Sequence, residues 1–223
     1  MSGTGDKRRA LVIATHNRHK VSEMKELLPA AEFDVKHLGE YPGIPISPET
    51  GSTFVANALQ KSLFAESCLG LPCFADDSGI VVPSLGGAPG IYSARYAGED
   101  ASDDENNDLL LKRMEGVENR LAFFSCAVAV VVPERHVASG LWDVPPDRGW
   151  FALENEGVYA WTAEAAVFGS LLRGPVGEAG FGYDPLFFYE PAGKTFAQMS
   201  IEEKNAISHR GRALRMMIPA LVG

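Results

Sequence analysis

The chain contains 223 residues, of which 46% are hydrophobic and 22% are charged, and its formal net charge at pH 7 is −9. This composition is ordinary for a folded globular protein and excludes wholesale disorder. The acidic balance also excludes a protein that binds DNA or RNA non-specifically through a broad cationic face, but it leaves room for a small phosphate-bearing ligand.

The termini and the apolar runs predict neither a signal peptide nor a membrane span. The apolar run from Leu121 to Val132 is shorter than the roughly 20 residues that cross a bilayer. The apolar stretch Leu11 to Ala14 is too short for the core of a signal peptide. Three cysteines without a CxxC pair indicate reduced thiols. We therefore expect a cytoplasmic protein, with a flexible tail at residues 1–8.

The first half of the chain alternates between predicted strands and helices. Short apolar runs predict strands, and amphipathic runs bounded by caps, prolines or glycines predict helices. In chain order we expect a strand at 9–15, a helix at 19–28, a strand at 33–38, a helix at 52–70 and a strand at 73–75. A turn at 78–79, a short extended piece at 80–83 and a glycine-rich loop at 86–98 follow.

The second half opens with a capping box, Ser102 and Glu105, that predicts a helix to about residue 115. The predicted elements that follow are a hairpin of 120–132 and 136–142, a surface excursion at 143–157, a strand at 158–168, and a helical region opened by a second capping box, Ser200 and Glu203. Trp150 and Phe151 are expected to hold the surface excursion against the body of the protein or against a partner subunit. Strands and helices are mixed throughout, so the class is α/β, while the pattern leaves a parallel or a mixed sheet open.

A polar segment joins the first predicted strand to the first predicted helix. Helix N-termini present unpaired N–H groups and the positive end of the helix dipole, which together favour phosphate. Hydroxyl and amide side chains can add hydrogen bonds, and a lysine adds a full charge. The segment suggests a phosphate loop, although a plain polar turn is the simpler interpretation of these residues alone. Its members are Thr15, His16, Asn17, Arg18, His19 and Lys20.

Two adjacent carboxylates, Asp76 and Asp77, follow the predicted strand at 73–75. Buried carboxylates are costly unless cations or hydrogen-bond donors compensate them. Mg²⁺ binds one or two carboxylates together with substrate phosphates and water, so the pair suggests a magnesium site. Successive strand side chains point to opposite faces, so both aspartates reach one ion only if the turn at Ser78-Gly79 relaxes the strand. A turn stabilised by an aspartate, without an ion, is the alternative.

A third segment, near the end of the chain, places aromatic rings beside glycines. Such rings offer a stacking face for a base, while neighbouring charged side chains read its edge or its phosphates. For each residue alone, core packing or a solvated helix face is the favoured explanation. Together with a phosphate loop and a carboxylate pair, they favour a nucleotide site. The residues are Phe181, Gly182, Tyr183, Asp184, Lys204, His209 and Arg210.

The chain carries five motifs in one order: Ala14 to Lys20, Ala75 to Gly79, Gly86 to Tyr96, Gly180 to Pro185, and Ser208 to Arg210. This series resembles the inosine triphosphate pyrophosphatase family, the dITP/XTP hydrolases. The resemblance covers nearly the whole chain, and five long motifs in register are far more specific than any single one.

The resemblance implies a fold and an activity for residues 9–223. The fold is an α/β domain with an elongated mixed sheet flanked by helices, in two lobes with the active cleft between them. The activity is hydrolysis of ITP, dITP and XTP between the α and β phosphates, with Mg²⁺, to give the monophosphate and pyrophosphate. The family usually forms homodimers, and neither nucleic acid nor a membrane is a partner.

The resemblance also implies roles for individual residues. Asp77 matches the family's proton acceptor and magnesium ligand, and Glu49 matches a second acidic position near the metal. In the mechanism that we expect from these roles, Asp76 helps at the metal, and Lys20 holds the departing pyrophosphate with Lys61 as a second candidate. The remaining substrate contacts are matched by the phosphate loop Thr15 to Lys20, by Ser78, by the base-binding stretch Phe181 to Asp184, and by Lys204, His209 and Arg210.

The chain departs from the family pattern at two places. Gln198 stands where relatives usually carry glutamate, and Asp143 to Gly157 has the character of an insertion. Two other functions are compatible with the same residues: a pyrophosphatase for unusual pyrimidine triphosphates, and a nucleotide sensor without catalysis. The turnover of ITP against UTP distinguishes the first, and magnesium-dependent release of pyrophosphate distinguishes the second.

Overall fold

A mixed β-sheet flanked by helices forms the fold in the computed structural model, which describes residues 8–45 and 47–222. Its strands are β1 Arg9–Ile13, β2 Phe33–His37, β3 Cys73–Val81, β4 Leu121–Pro133, β5 Phe151–Leu153, β6 Val158–Leu171, β7 Phe187–Tyr189 and β8 Lys194–Thr195. Its helices are α1 Arg18–Leu27, α2 Phe54–Leu69, α3 Asp103–Arg113, α4 Glu134–Ala138, α5 Ile201–Ile207 and α6 His209–Val222. The predicted tail at 1–8 lies, apart from Arg8, outside the described residues.

The sheet contains both parallel and antiparallel pairs, in the order β2-β1-β3-β4-β6-β7-β8, with β5 beside β6. Strand β1 pairs in parallel with β2 and with β3, where Val12 lies opposite Cys73. Strand β6 pairs antiparallel with β5 and β7, and β7 pairs antiparallel with β8. The predicted α/β class is confirmed, and the sheet is mixed.

The chain divides into two compact units. The first comprises the described residues up to Asp76 together with 127–163 and the residues from Ala213 onward, and the second comprises 77–126 and 164–212. In the first unit, buried apolar side chains of β1, β3 and α2 pack together, among them Val12, Ala65 and Cys73. In the second unit, a larger apolar cluster unites β4, β6 and β7 with α3.

The predicted helices form where their caps indicate. Asn17, Thr53, Ser102 and Ser200 each accept hydrogen bonds from the first turn of α1, α2, α3 and α5, and the last two close capping boxes. Helix α2 ends at Gly70 in the left-handed conformation, with φ of 65°. No helix within 8–45 and 47–222 is long and apolar enough to cross a membrane.

The predicted turn at Ser78-Gly79 is wrong, because β3 continues without a break from Cys73 to Val81. A Cβ atom at Gly79 would overlap the Ser93 hydroxyl and the Gly90 carbonyl. The glycine therefore serves close packing of the strand against the 3₁₀ helix Gly90–Arg95, and not a reversal of the chain.

The predicted hairpin around Pro133 is also wrong in its second arm. Residues Glu134–Ala138 form α4, and His136 to Trp142 contains no strand. Proline ends the long strand β4, and the Glu134 N–H donates instead to the Gly157 carbonyl at 3.0 Å. Strand β4 is paired in the sheet with β3 and β6.

The stretch from 143 to 157 is more regular than predicted, since it contains the strand β5. Trp150 is buried, and its indole N–H donates to the Ala220 carbonyl at 3.1 Å. It therefore anchors the segment, as predicted. Phe151 is 40% exposed and does not pack into the body of this chain, so for this residue contact with a partner subunit stays a prediction. Neighbouring side chains of a strand point in opposite directions, so burying one exposes the next.

Candidate functional site

The segment predicted as a phosphate loop is closed by its own side chains. Oδ1 of Asn17 accepts hydrogen bonds from the N–H groups of His19 and Lys20, at 3.0 and 3.1 Å. The Thr15 hydroxyl accepts from the Asn17 N–H at 3.2 Å. These contacts cap α1 and occupy three of the N–H groups expected to face a phosphate. The loop therefore offers the helix dipole and exposed side chains, which are those of His16, Asn17, Arg18 and His19.

Lys20 reaches back from α1 to the first of the two adjacent aspartates. Its Nζ lies 3.1 Å from Oδ1 of Asp76, whose side chain is fully buried at the middle of β3. A buried carboxylate needs a compensating charge, and this lysine provides it. In this arrangement Asp76 balances Lys20, which leaves the neighbouring Asp77 as the carboxylate with a separate role.

The acidic position Glu49 lies in a loop held by α2. Its Oε1 accepts a hydrogen bond from Nζ of Lys61 at 3.1 Å. The next turn of the loop is fixed by Asn57, whose Oδ1 accepts from the Gly51 N–H at 2.8 Å. The two residues for which different roles were expected, Glu49 and Lys61, are thus paired with each other. The pairing leaves the Glu49 carboxylate one quarter exposed.

Asp77 and Ser78 belong to the second unit, although they continue the same strand. Asp77 is 5% exposed. The Ser78 hydroxyl accepts a hydrogen bond from Nη2 of Arg210 at 2.9 Å. Because β3 is regular here, Asp76 and Asp77 project to opposite faces of the strand, as the sequence analysis expected for an unbroken strand.

The aromatic segment forms a tight turn braced by Asp184. Oδ2 of this aspartate accepts hydrogen bonds from the Phe181 N–H at 3.0 Å and from Nζ of Lys204 at 2.6 Å. Gly180 has a φ of 78°, and a Cβ atom there would overlap the Asp184 carboxylate. Glycine is required at this position for both reasons.

Two cations lie close to the ring of Phe181. Nζ of Lys204 is 4.8 Å and the guanidinium carbon of Arg210 is 5.6 Å from the ring centroid. Both cations are almost completely buried, and cation–π attraction strengthens when the charge is removed from water. The structure therefore brings together Phe181, Asp184, Lys204 and Arg210, as the sequence predicted.

The predicted site residue His209 is held by stacking. Its ring lies parallel to that of Phe124, with centroids 4.7 Å apart and an angle of 9° between the planes. Only 3% of His209 is exposed. The stacking fixes the plane of the imidazole and therefore the directions in which its two nitrogens can form hydrogen bonds.

Sequence reasoning missed the part played by Ser93. Its hydroxyl donates to the Gly90 carbonyl at 2.6 Å and accepts from the Ile80 N–H at 3.0 Å, while its carbonyl accepts from the Tyr183 hydroxyl at 2.8 Å. Burial raises the pKa of the Tyr183 phenol, so this hydroxyl remains a donor. Ser93 thus ties β3 to the aromatic turn. Its position inside the motif Gly86 to Tyr96 was the available signal.

The departure at Gln198 preserves local structure. Oε1 of Gln198 accepts from the Thr195 N–H at 2.9 Å and closes a capping box over the 3₁₀ helix Phe196–Gln198. An amide oxygen accepts this hydrogen bond as a glutamate oxygen would. The substitution therefore keeps the cap and removes its negative charge.

Comparisons with known proteins show similarity to relatives along most of the chain. The chain is 48% identical to a dITP/XTP pyrophosphatase of Syntrophobacter fumaroxidans, over 92% of this chain and 78% of that protein. It is 42% identical to a dITP/XTP pyrophosphatase of Geobacter sulfurreducens, over 93% and 94%. The structure of a HAM1 protein from Coxiella burnetii superposes with a TM-score of 0.77 at 36% identity, covering 95% of this chain and 97% of that one.

The sequence profile of the Ham1 family matches residues 11–144 and 149–220. The insertion expected at 143–157 is accordingly confined to residues 145–148, next to the turn that precedes Trp150. The matched ranges include every candidate site residue described above, and the predicted family resemblance is confirmed. This chain belongs to the Ham1 family.

Proposed function

We propose that this protein hydrolyses the non-standard purine nucleoside triphosphates ITP, dITP and XTP to the monophosphate and pyrophosphate. Its relatives at 48% and 42% identity are named dITP/XTP pyrophosphatases, and the matches cover 78% and 94% of their lengths. The structural observation that carries the proposal is the pair of buried cations beside the Phe181 ring. A flat ring flanked by fixed donors suits a purine base that presents acceptors.

The proposed base site discriminates by hydrogen bonding. Hypoxanthine and xanthine carry a carbonyl acceptor at position 6, where adenine carries an amino donor. Lys204, His209 and Arg210 supply buried N–H groups, which can donate to a carbonyl acceptor but not to an amino donor. Sites built in this way discriminate by roughly 10⁴-fold or more. Asp184 fixes the ammonium of Lys204 through its 2.6 Å contact and so sets the direction of that donor.

The proposed phosphate site uses the first unit. Arg18 and His19 are exposed on the first turn of α1, where the helix dipole adds a positive potential, and His16 is exposed just before the helix. Lys20 is already paired with Asp76, so a bound phosphate would share the charge of this lysine with that carboxylate. We assign the phosphates to the segment from Thr15 to Lys20 on these grounds, and we assign Ser78 to a substrate contact.

The donor set fits a bound Mg²⁺. Within 8–45 and 47–222 no three His, Cys, Asp or Glu side chains converge as a complete metal centre. Mg²⁺ does not need one, because it binds through one or two carboxylates and takes substrate phosphates and water as its other ligands. Asp77 and Glu49 are the carboxylates proposed to hold it. When bound, Mg²⁺ neutralises charge that accumulates on the phosphates in the transition state.

The proposed catalytic step is attack of water on the α-phosphorus. The oxygen of the water forms a bond to that phosphorus, and the bond from the phosphorus to the bridging oxygen of the β-phosphate breaks. The electron pair of the broken bond leaves with pyrophosphate, and the proton of the water passes to the Asp77 carboxylate, which acts as general base. Asp77 is buried, with 5% of the residue exposed, so its carboxylate is held in one place as the reaction proceeds.

The proposal is tested by product analysis across ITP, dITP, XTP, GTP, ATP and UTP, with and without Mg²⁺. We expect pyrophosphate and monophosphate from the first three nucleotides, only with Mg²⁺. In ¹⁸O-labelled water the label should appear in the monophosphate, because attack is at the α-phosphorus. Label in pyrophosphate would place the attack at the β-phosphorus, faster turnover of UTP would favour a pyrimidine pyrophosphatase, and tight binding without turnover would favour a sensor.

We also propose a cytoplasmic homodimer. The three cysteines are free thiols, which is typical of a reducing compartment. On the second unit Leu121 and Phe168 are 61% and 67% exposed, and the Phe168 ring packs against that of Phe123 at a tilt of 39°, with centroids 5.2 Å apart. Exposed apolar side chains of this size are typical of interfaces. Sedimentation velocity of the wild type and of Phe168→Glu tests whether a dimer forms and whether this surface contributes to it.

A further inference from the structure

Helix α3 forms hydrogen bonds with both backbone polar groups of Gly182, the glycine at the centre of the aromatic turn. The Gly182 N–H donates to Oδ2 of Asp103 at 2.6 Å. The Gly182 carbonyl accepts from Nδ2 of Asn107 at 2.9 Å. The two side chains are four residues apart on α3 and therefore lie on the same face of that helix. Two residues of α3 thus fix the peptide units on both sides of Gly182.

Neither residue is needed for the cap of α3. Ser102 and Glu105 form the capping box between themselves, with the Glu105 N–H donating to the Ser102 hydroxyl at 3.2 Å and the Ser102 N–H donating back at 2.8 Å. Asp103 is an exposed residue of the first turn, as is its neighbour Asp104. Of these two aspartates, Asp103 is the one whose carboxylate accepts the hydrogen bond from Gly182.

The presence of an amide side chain at Asn107 is not explained by a gain in the stability of the fold. The side chain is buried, and its Oδ1 has no hydrogen-bond partner in the part of the chain that the structure describes. A buried acceptor without a partner lowers stability, so an apolar residue of similar size would suit the packing better. The hydrogen bond that this amide does form, to Gly182, therefore points to a role in the turn.

Gly182 needs such support because of its conformation. Its φ is 61°, and glycine at such a position rotates more freely than any other residue. Phe181 and Tyr183 lie on either side of it, one beside the cations of Lys204 and Arg210 and the other bonded to Ser93. Rotation at Gly182 would move the Phe181 ring away from those cations.

We infer that Asp103 and Asn107 are positioning residues for base recognition. They act through Gly182 and hold the Phe181 ring at the place where a base stacks. This inference deepens the proposed function and rests on it. It predicts that loss of either side chain weakens recognition of the base while leaving the binding of pyrophosphate unchanged, since pyrophosphate has no base.

The test compares Asp103→Ala and Asn107→Leu with the matched control Asp104→Ala. The control removes the same charge from the same helical turn without touching Gly182. We expect KM for ITP to rise roughly tenfold in the first two variants, as for loss of one hydrogen bond, with kcat within a few-fold. The preference for ITP over ATP should fall, and the inhibition constant of inorganic pyrophosphate should stay that of the wild type.

Hydrogen exchange across 180–184 provides a readout that does not depend on turnover. The Gly182 amide should be protected in the wild type and in Asp104→Ala, and should exchange faster in Asp103→Ala. Equal protection in both alanine variants would overturn the inference, and so would equal KM values in an active enzyme. Parallel loss of ITP and pyrophosphate binding would indicate a general structural defect and also overturn it. A wild type without ITP turnover would instead contradict the proposed function.

Discussion

The two units of the molecule hold their candidate groups in opposite ways. In the first unit the polar side chains after β1 are exposed, and their hydrogen bonds cap a helix. In the second unit Asp184, Lys204, His209 and Arg210 are each less than 5% exposed, and each is fixed by an ion pair, a ring or a hydrogen bond.

This difference corresponds to what each group is proposed to recognise. A phosphate carries several charges, so exposed cations attract it without exact placement. A base differs from another base by the direction of one hydrogen bond. Rejecting the wrong base therefore requires donors that water cannot satisfy and that cannot turn away. The contrast indicates that exposed cations suit recognition of a charged group, whereas buried donors suit recognition of the hydrogen-bonding pattern of a base.

The largest expected effect comes from Asp77→Asn. The variant keeps the volume of the side chain but removes the charge and the proton acceptor, so kcat should fall by orders of magnitude, while a neutral amide is easier to bury and the fold persists. Pyrophosphate release at saturating Mg²⁺ measures the loss. Asp147→Asn, at an exposed position in the segment outside the family match, is the control. Near-normal turnover of Asp77→Asn would remove this residue from the mechanism.

A second test removes one cation from each unit. Lys204→Met leaves the Asp184 carboxylate buried without its partner, and breaking such a pair costs about 3–5 kcal/mol of stability. Arg18→Met removes an exposed cation at the positive end of a helix dipole, so stability should hold or rise slightly. KM for ITP should rise in both variants.

Thermal unfolding and steady-state kinetics on the same preparations separate the two effects. Only Lys204→Met, the variant in the second unit, should lose both stability and affinity for ITP. If Arg18→Met is as destabilised as Lys204→Met, the contrast between exposed and buried recognition does not hold.

A smaller effect is expected from the loop cap. Asn17→Ala removes the acceptor for two N–H groups of α1 and should cost about 1 kcal/mol of stability. Thr53→Ala removes the cap of α2, which bonds to the Ala56 N–H, and serves as the control. Urea unfolding should show similar losses for both. Only Asn17→Ala should also raise KM for ITP, and equal KM values would show that the loop does not bind the phosphates.

The smallest perturbation tests burial itself. Cys68 is exposed, whereas Cys73 and Cys126 are buried, and burial also raises the pKa of the Cys73 thiol, which keeps it in the unreactive protonated form. Iodoacetamide should therefore modify only Cys68 in the native protein and all three cysteines after unfolding, as peptide mass spectrometry would show. Native labelling of Cys73 would mean that the core of the first unit opens readily.

The sequence predicted those features that depend on neighbouring residues. The capping boxes at Ser102 and Ser200 placed two helices, because their contacts span three residues. The turn expected at Gly79 is wrong because this position needs glycine for close packing against Gly90 and Ser93. These residues come near Gly79 only in the folded protein. The ion pair between Lys204 and Asp184 likewise joins residues 20 apart. Family resemblance brought both residues to the site, but their direct contact needed the structure.

Because Gln198 carries an amide, its capping box responds to acid differently from a box closed by a glutamate. Hydrogen bonds to Ser102 lower the pKa of Glu105, and a hydrogen bond from Lys194 lowers the pKa of Glu203. Such carboxylates stabilise the folded state above their unfolded pKa, and this contribution is lost as the pH falls through the lower folded value. The box closed by Gln198 has no proton to gain. As the pH falls below the ordinary pKa of a glutamate, the starts of α3 and α5 should therefore loosen while the turn at 196–198 keeps its cap. Strong acid thus distinguishes two kinds of helix start that behave alike in neutral solution.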